Sequence, residues 1–121
     1  VRDIASDLNT NAVMTFLLRT KSGPFKLENT VTYEEIKEKG KDILLKTYEP
    51  LDLPRYTIKD QEFKRAENGN FLIKENFVED EIELEIGDYF LLFSEAGKFL
   101  AISKFEIKDD YEIYQPHKVF I

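Results

Sequence analysis

At 121 residues, 42% of them apolar and 13% aromatic, the chain can bury one modest core, or one small domain beside part of another. It has no cysteine, which excludes disulfides and thiolate metal sites, and no apolar run long enough to span a membrane. The formal net charge of −7 argues against a uniformly cationic nucleic-acid binder.

That charge is unevenly placed. Residues 1–26 hold four basic against two acidic side chains, and residues 55–74 hold five against three. Residues 75–97 hold eight acidic side chains and no basic one. Two segments therefore stay locally basic and permit contact with RNA. The N-terminus lacks a basic stretch followed by an apolar one, so no secretory signal is expected and the default location is the cytoplasm. A start at Val1 fits a processed or truncated product.

Val1, Ile4, Ala5 and Leu8 recur at i, i+3, i+4 and i+7, one face of a short helix. Arg2 stands at its entrance, and Asn9 follows at a left-handed C-terminal position. From Ala12 to Thr20 the chain is apolar and bounded by turn formers. Periodicity alone does not separate a buried strand from a short helix there; its residue types favour a strand. Ser22-Gly23-Pro24 stops it. Thr32 and Glu35 form a capping box that opens a helix ending near Gly40, and Ile43 to Leu45 suggest a further short turn. Pro50-Leu51-Asp52-Leu53-Pro54 reads as a linker, because each proline holds its predecessor extended. The expected domains are therefore residues 1–50 and 51–121.

After the linker, Tyr56 to Ile58 reads as a strand and Asp60 to Glu67 as a short helix ended by Asn68-Gly69. Phe71 to Ile73 reads as another strand. Ile82, Leu84 and Ile86 alternate with Glu83 and Glu85, as in a half-exposed strand or extended segment. Tyr89 to Phe93 and Lys98 to Ile107 are strands joined through Glu95-Ala96-Gly97. Asp109-Asp110 turns into a last strand from Glu112 to Phe120, where Pro116 suggests an edge. The expected class is α+β, with the second domain a small β-barrel-like unit carrying one helix.

Chemistry-bearing motifs are few. His117 has no second imidazole or thiol to share a metal with. The carboxylates of Glu79 to Glu85 lack the ligand spacing and central glycine of a calcium loop, so a solvated face is expected. There is no phosphate-binding glycine loop, no dinucleotide fingerprint, and no nucleophile–histidine–acid set. Arg19, Lys21 and Lys26 bracket the Ser-Gly-Pro turn, where they can meet phosphates or simply face water.

Two stretches are more particular than a core requires: Val1-Arg2-Asp3-Ile4-Ala5, and Leu17-Leu18-Arg19-Thr20-Lys21-Ser22-Gly23-Pro24-Phe25. They resemble the closing motifs of the catalytic domain in the TruB family of tRNA pseudouridine synthases, a Tyr-Ile-Arg type stretch and a Leu-Arg-Arg-Thr-x-Ser-Gly-Pro-Phe type stretch. Residues 55–121 resemble the PUA-like C-terminal RNA-binding module of the same enzymes. That likeness rests on Leu53-Pro54, Asn68-Gly69-Asn70, Gly97 to Ile102 and Gln115 to Phe120. The chain departs from the family in having Leu18-Arg19 where two arginines are usual, and in a shorter segment around Asn9 to Asn11.

The resemblance implies isomerisation of the T-loop uridine of tRNA to pseudouridine, with no cofactor and no metal. It implies that Arg2 pairs with the catalytic aspartate and that Leu17 lines the uracil pocket. The RNA contacts it implies are Arg19, Lys21 and Lys26, then Lys59, Lys64, Arg65 and Asn68 on or near the second-domain helix, and Lys118. The aspartate's motif has no counterpart in this chain, and neither Asp3 nor Asp7 lies in its context. The implied partners are the tRNA T arm and an upstream catalytic segment, without a membrane, and the chain alone is expected to be inactive. The competing readings are a non-catalytic RNA-binding or protein-interaction module, and an acidic scaffold unrelated to RNA.

Overall fold

The computed structural model describes residues 1–120 and divides into two compact units, Val1–Leu45 and Lys46–Ile121.

The first unit opens with helix α1 (Arg2–Asp7), which buries Ala5. The helix ends as the sequence predicts. Asn9 takes φ 50°, its N–H bonds the Ser6 carbonyl, and the Thr10 N–H bonds the Ala5 carbonyl. These two bonds form a Schellman closure with asparagine at the left-handed position. Strands β1 (Lys21–Ser22) and β2 (Phe25–Lys26) make a two-residue antiparallel ladder. Gly23 at φ 57°, followed by proline with its fixed negative φ, is the pattern of a type II′ hairpin turn. Helix α2 (Tyr33–Lys39) carries the complete capping box. The Glu35 N–H bonds the Thr32 hydroxyl at 3.2 Å, and the Thr32 N–H bonds a Glu35 carboxylate oxygen at 2.8 Å. Gly40 ends it at φ 56° and begins a 3₁₀ turn, Gly40–Ile43.

The strand expected over residues 12–20 does not form. Those residues have no regular structure, and Val13, Phe16 and Leu17 are 83%, 77% and 75% exposed. A strand needs a neighbour for its backbone N–H and C=O groups, and β1 pairs only with β2.

The second unit is built on a four-stranded sheet of order β3-β4-β5-β6, with β3 Arg55–Ile58, β4 Tyr89–Ser94, β5 Phe99–Lys108 and β6 Tyr111–Val119. β3 runs parallel to β4, pairing Arg55 with Leu91 through Ile58 with Ser94. A parallel pair requires a long crossover, and the crossover here holds a 3₁₀ turn and helix α3 (Phe63–Glu67). Gly69 at φ 70° closes α3, with Gly69 N–H on the Ala66 carbonyl and Asn70 N–H on the Arg65 carbonyl. The β5–β6 hairpin turns through Asp109 and Asp110 at φ 51° and 65°, a type I′ geometry. Pro116 lies opposite Ser103, where the register shifts. The bulge lets an edge strand carry a residue without an N–H.

Among the described residues the sheet is open, with β3 and β6 at its ends and no closed barrel; isolated bridges tie Leu72 to Tyr114 of β6 and Phe77 to Ile58 of β3. The architecture is α+β. The strand expected at Phe71 to Ile73 is reduced, and residues 82–86, expected as a strand or an extended segment, stay outside the sheet. Of Phe71 to Ile73 only Leu72 pairs, exchanging both backbone bonds with Tyr114 at 2.9 Å. Residues 82–86 join no strand. The Tyr56 hydroxyl takes the Glu83 N–H at 3.0 Å and donates to the Glu83 carbonyl, which replaces a ladder with one side chain. Ile82 and Leu84 still pack on the core.

That core joins Ile58, Ala66, Leu72, Phe77, Phe90, Leu92, Leu100 and Tyr114. Phe90 is fully buried, its ring 5.7, 6.1 and 6.0 Å from those of Tyr56, Phe77 and Tyr114. Burial pushes the Tyr114 phenol above its usual range. Tyr48 belongs to this unit, its ring 5.0 Å from both Phe93 and Phe99.

Candidate nucleic-acid interface

In the first unit, Arg2 begins α1 and is exposed. It lines a shallow cavity of about 290 Å³ with Ala5, Ser6, Thr10, Asn11 and Ala12. No carboxylate of the described residues pairs with it, and Leu17 does not line that cavity. Arg19 is exposed and outside any regular element. Lys21 and Lys26 are brought together: they are direct cross-strand partners in the β1–β2 ladder and both line a groove of about 440 Å³ with Thr20, Leu27 and Glu28. The ladder is continued by the Leu27 N–H bonding the Thr20 carbonyl at 2.9 Å.

In the second unit the basic residues around α3 divide by what already holds them. The Lys59 ammonium donates to the Glu75 carbonyl at 2.8 Å, and Arg65 Nε donates to the Phe71 carbonyl at 3.0 Å while its guanidinium covers the Phe71 ring. Both are half-buried and brace the segments after α3. Lys64 and Asn68 are exposed on α3 and at its cap. Lys118 lies on β6 with its ammonium 5.8 Å from the centre of the Phe120 ring. Three exposed donors thus remain available to a phosphate backbone, and two are committed to the fold.

Other surface features fall outside the residues singled out from sequence. A groove of about 400 Å³ runs between Phe71 and Ile73 on one side and the β5–β6 turn on the other, lined also by Lys108, Tyr111 and Ile113. The only sequence signal for it is the aromatic and the lysine flanking Asp109-Asp110. On the sheet, Lys104 donates to Glu106 at 2.8 Å and lies over the Tyr89 ring, which His117 meets edge-on. That hydrogen bond raises the Lys104 pKa and lowers that of Glu106.

The acidic block has a local purpose. Both Glu79 carboxylate oxygens accept from the Thr57 N–H on the outer edge of β3 at 3.0 Å. Glu95 accepts from the Asp60 N–H at 2.9 Å, and Asp88 from the Glu85 N–H at 2.9 Å. These carboxylates satisfy backbone donors that no strand reaches.

No protein-family model matches the chain. It is 31% identical to tRNA pseudouridine synthase B of Lachnoclostridium phytofermentans over 127 aligned positions, which cover 99% of this chain and 41% of that protein. It is 29% identical to the protein of the same name from Limosilactobacillus reuteri, over 99% of this chain and 39% of that one, and 31% identical to that of Bacillus subtilis, over 82% and 33%. The chain thus spans about two fifths of the length of the first two of these relatives. Among solved structures, a chain from an H/ACA RNP bound to a substrate RNA containing 2′-deoxyuridine superposes with a TM-score of 0.54, over 84% of this chain and 39% of that one, at 21% identity. That likeness is one of fold. The sequence match runs nearly the whole length of the chain and falls on the C-terminal part of the relatives, so the chain belongs to the TruB family of tRNA pseudouridine synthases and corresponds to that part of its members.

Proposed function

We propose that this chain is the C-terminal part of an enzyme that isomerises the T-loop uridine of tRNA to pseudouridine, and that it supplies one active-site arginine and much of the tRNA-binding surface. The observation that carries the reading is similarity along 99% of the chain to proteins of that name. In this reading the first unit completes the catalytic domain, and the second, which begins at Lys46 and not at the expected residue 51, is a PUA-like RNA-binding domain. The fold-level likeness to a chain of an RNA-bound particle supports the second assignment.

The chemistry follows from the side chains. Base isomerisation needs the uridine out of its stack, so that a pocket can reach it. An aspartate from the upstream segment then drives cleavage of the glycosidic bond and reattachment through carbon. Arg2, permanently charged and planar, holds that carboxylate by parallel hydrogen bonds. Its exposure in this unit leaves its donors open to such a partner. Leu17 forms an apolar wall of the pocket once the upstream segment covers it. Arg19, Lys21 and Lys26 meet phosphates of the T arm; Lys64, Asn68 and Lys118 meet a stem by its backbone and shape, with Lys59 and Arg65 holding the surface beneath them.

The test is tRNA binding by the purified chain across a salt series, with a T-arm-deleted tRNA as control. Salt-sensitive binding that weakens without the T arm is the expected result. Binding that is insensitive to salt, or equal for both RNAs, would overturn the assignment of T-arm recognition to this chain. The chain alone is expected to form no pseudouridine.

A further inference from the structure

We propose that Lys21 and Lys26 form a two-pronged seat for one phosphate of the RNA backbone, and that Glu28 is the internal rival that the phosphate displaces. The proposal deepens the RNA-binding reading and rests on it. The two lysines are direct partners across the β1–β2 ladder. Like charges so placed repel, and a hairpin gains nothing from them. Here the register is imposed by the backbone: Gly23 at φ 57° before proline sets a two-residue turn, and the Leu27 N–H to Thr20 carbonyl bond continues the ladder. Both lysines therefore line the same groove.

The two lysines are not equivalent. Lys26 Nζ lies 3.5 Å from a Glu28 carboxylate oxygen, with both side chains more than half exposed. Lys21 makes no ion pair among the described residues. A phosphodiester has one negative charge shared by two unesterified oxygens, one for each ammonium. Glu28 offers Lys26 the same chemistry from within the chain, and it lines the same groove. An exposed pair of this kind is weak and screened by salt, so it yields to an incoming phosphate. Glu28 then sets how tightly the seat holds RNA.

The test uses the full chain and a tRNA across a salt series, comparing wild type, Glu28→Gln, Lys26→Ala and the double variant. Glu38→Gln, an exposed acid on α2, controls for net charge. Glu28→Gln should tighten binding about two- to fivefold at low salt, the scale of an exposed ion pair. Lys26→Ala should weaken binding and lower the salt slope by about one. The gain from Glu28→Gln should vanish in the Lys26→Ala background, and Glu38→Gln should give less than Glu28→Gln. No gain from Glu28→Gln, or the same gain without Lys26, overturns the rivalry. If wild type shows no salt-dependent RNA binding, the RNA reading fails, and the seat is judged separately with inorganic phosphate. Amide shifts at Lys21, Lys26 and Leu27 on titration with phosphate, against chloride at equal ionic strength, support it; shifts absent there refute it.

Discussion

Phe90 offers the sharpest test of how the second unit is held together. Its side chain is fully buried, and three aromatic rings surround it at 5.7 to 6.1 Å between centres. Two meet it edge-on and the third at 61°, and each such pair adds about 0.5–1.5 kcal/mol beyond simple burial. Phe90→Ala should therefore cost about 3–5 kcal/mol, since rings anchored on β3, on β6 and in the turn before residue 78 cannot all collapse into the space. A domain of this size is stable by about 4–11 kcal/mol in total, so the variant should lose about a quarter of its stability or more. Urea unfolding followed by circular dichroism reads this as a lower midpoint with little change in slope. Phe16→Ala, at a site 77% exposed, should stay within about 0.5 kcal/mol of wild type. A loss below about 1 kcal/mol for Phe90→Ala would refute the view that this aromatic cluster is the unit's keystone.

Thr32→Ala should remove about 1 kcal/mol from α2, visible as reduced helical signal at 222 nm; an unchanged signal would show the cap idle. The Thr32 N–H holds the Glu35 carboxylate below its usual value of 4.5. Because the folded value is depressed, the stabilisation is present above the ordinary pKa and is lost as pH falls through the depressed one. A carbon-detected titration of Glu35 should give a midpoint below 4.5, and one at or above it would refute the capping box in solution. Asp110 holds φ 65°, a conformation that costs a residue with a β-carbon, so Asp110→Gly should stabilise by up to about 1 kcal/mol, read as a raised melting temperature. Arg2→Ala, made in the full-length enzyme of which this chain is proposed to be part, should cut kcat far more than tRNA affinity. Equal loss of both would make Arg2 a binding residue.

What could be read from sequence follows the range of the interactions. Helix ends were legible because each cap is settled within six residues: Thr32 with Glu35, Asn9 after α1, Gly69 after α3. The Asp109-Asp110 turn was legible for the same reason. Residues 12–20 were misread because a strand is a property of two segments, and composition reports only one. For residues 82–86 the sequence left a strand and an extended segment open, and the choice rests on the Tyr56 hydroxyl, 27 positions away, which satisfies backbone groups that a neighbouring strand would otherwise satisfy. Strand pattern likewise leaves open whether the two end strands of a barrel-like sheet meet, and here they do not. At the candidate interface the basic residues were visible, but not their division into bracing and exposed ones. Glu28 went unnoticed because its meaning depends on the cross-strand register of Lys21 and Lys26.

The net charge of −7 weighs less against RNA than it first suggests. In the acidic block, Glu79, Asp88 and Glu95 each accept a backbone N–H that no strand reaches. Glu79 does so on the outer side of β3, beside the short Ile58–Phe77 bridge, which takes up the Thr57 carbonyl but not its N–H. Their charge is thus tied to places where the backbone needs acceptors. Exposed Lys64, Asn68 and Lys118 accept no such duty among the described residues. Replacing Glu79 with glutamine keeps an acceptor for Thr57 and removes one charge, so it should leave the fold intact and change RNA affinity little. Glutamine and alanine at Glu79 should then separate, alanine alone destabilising the unit, because only alanine strands the Thr57 N–H. Equal stability of the two would mean that water serves that donor as well as the carboxylate does, and that the acidic block is surface charge after all.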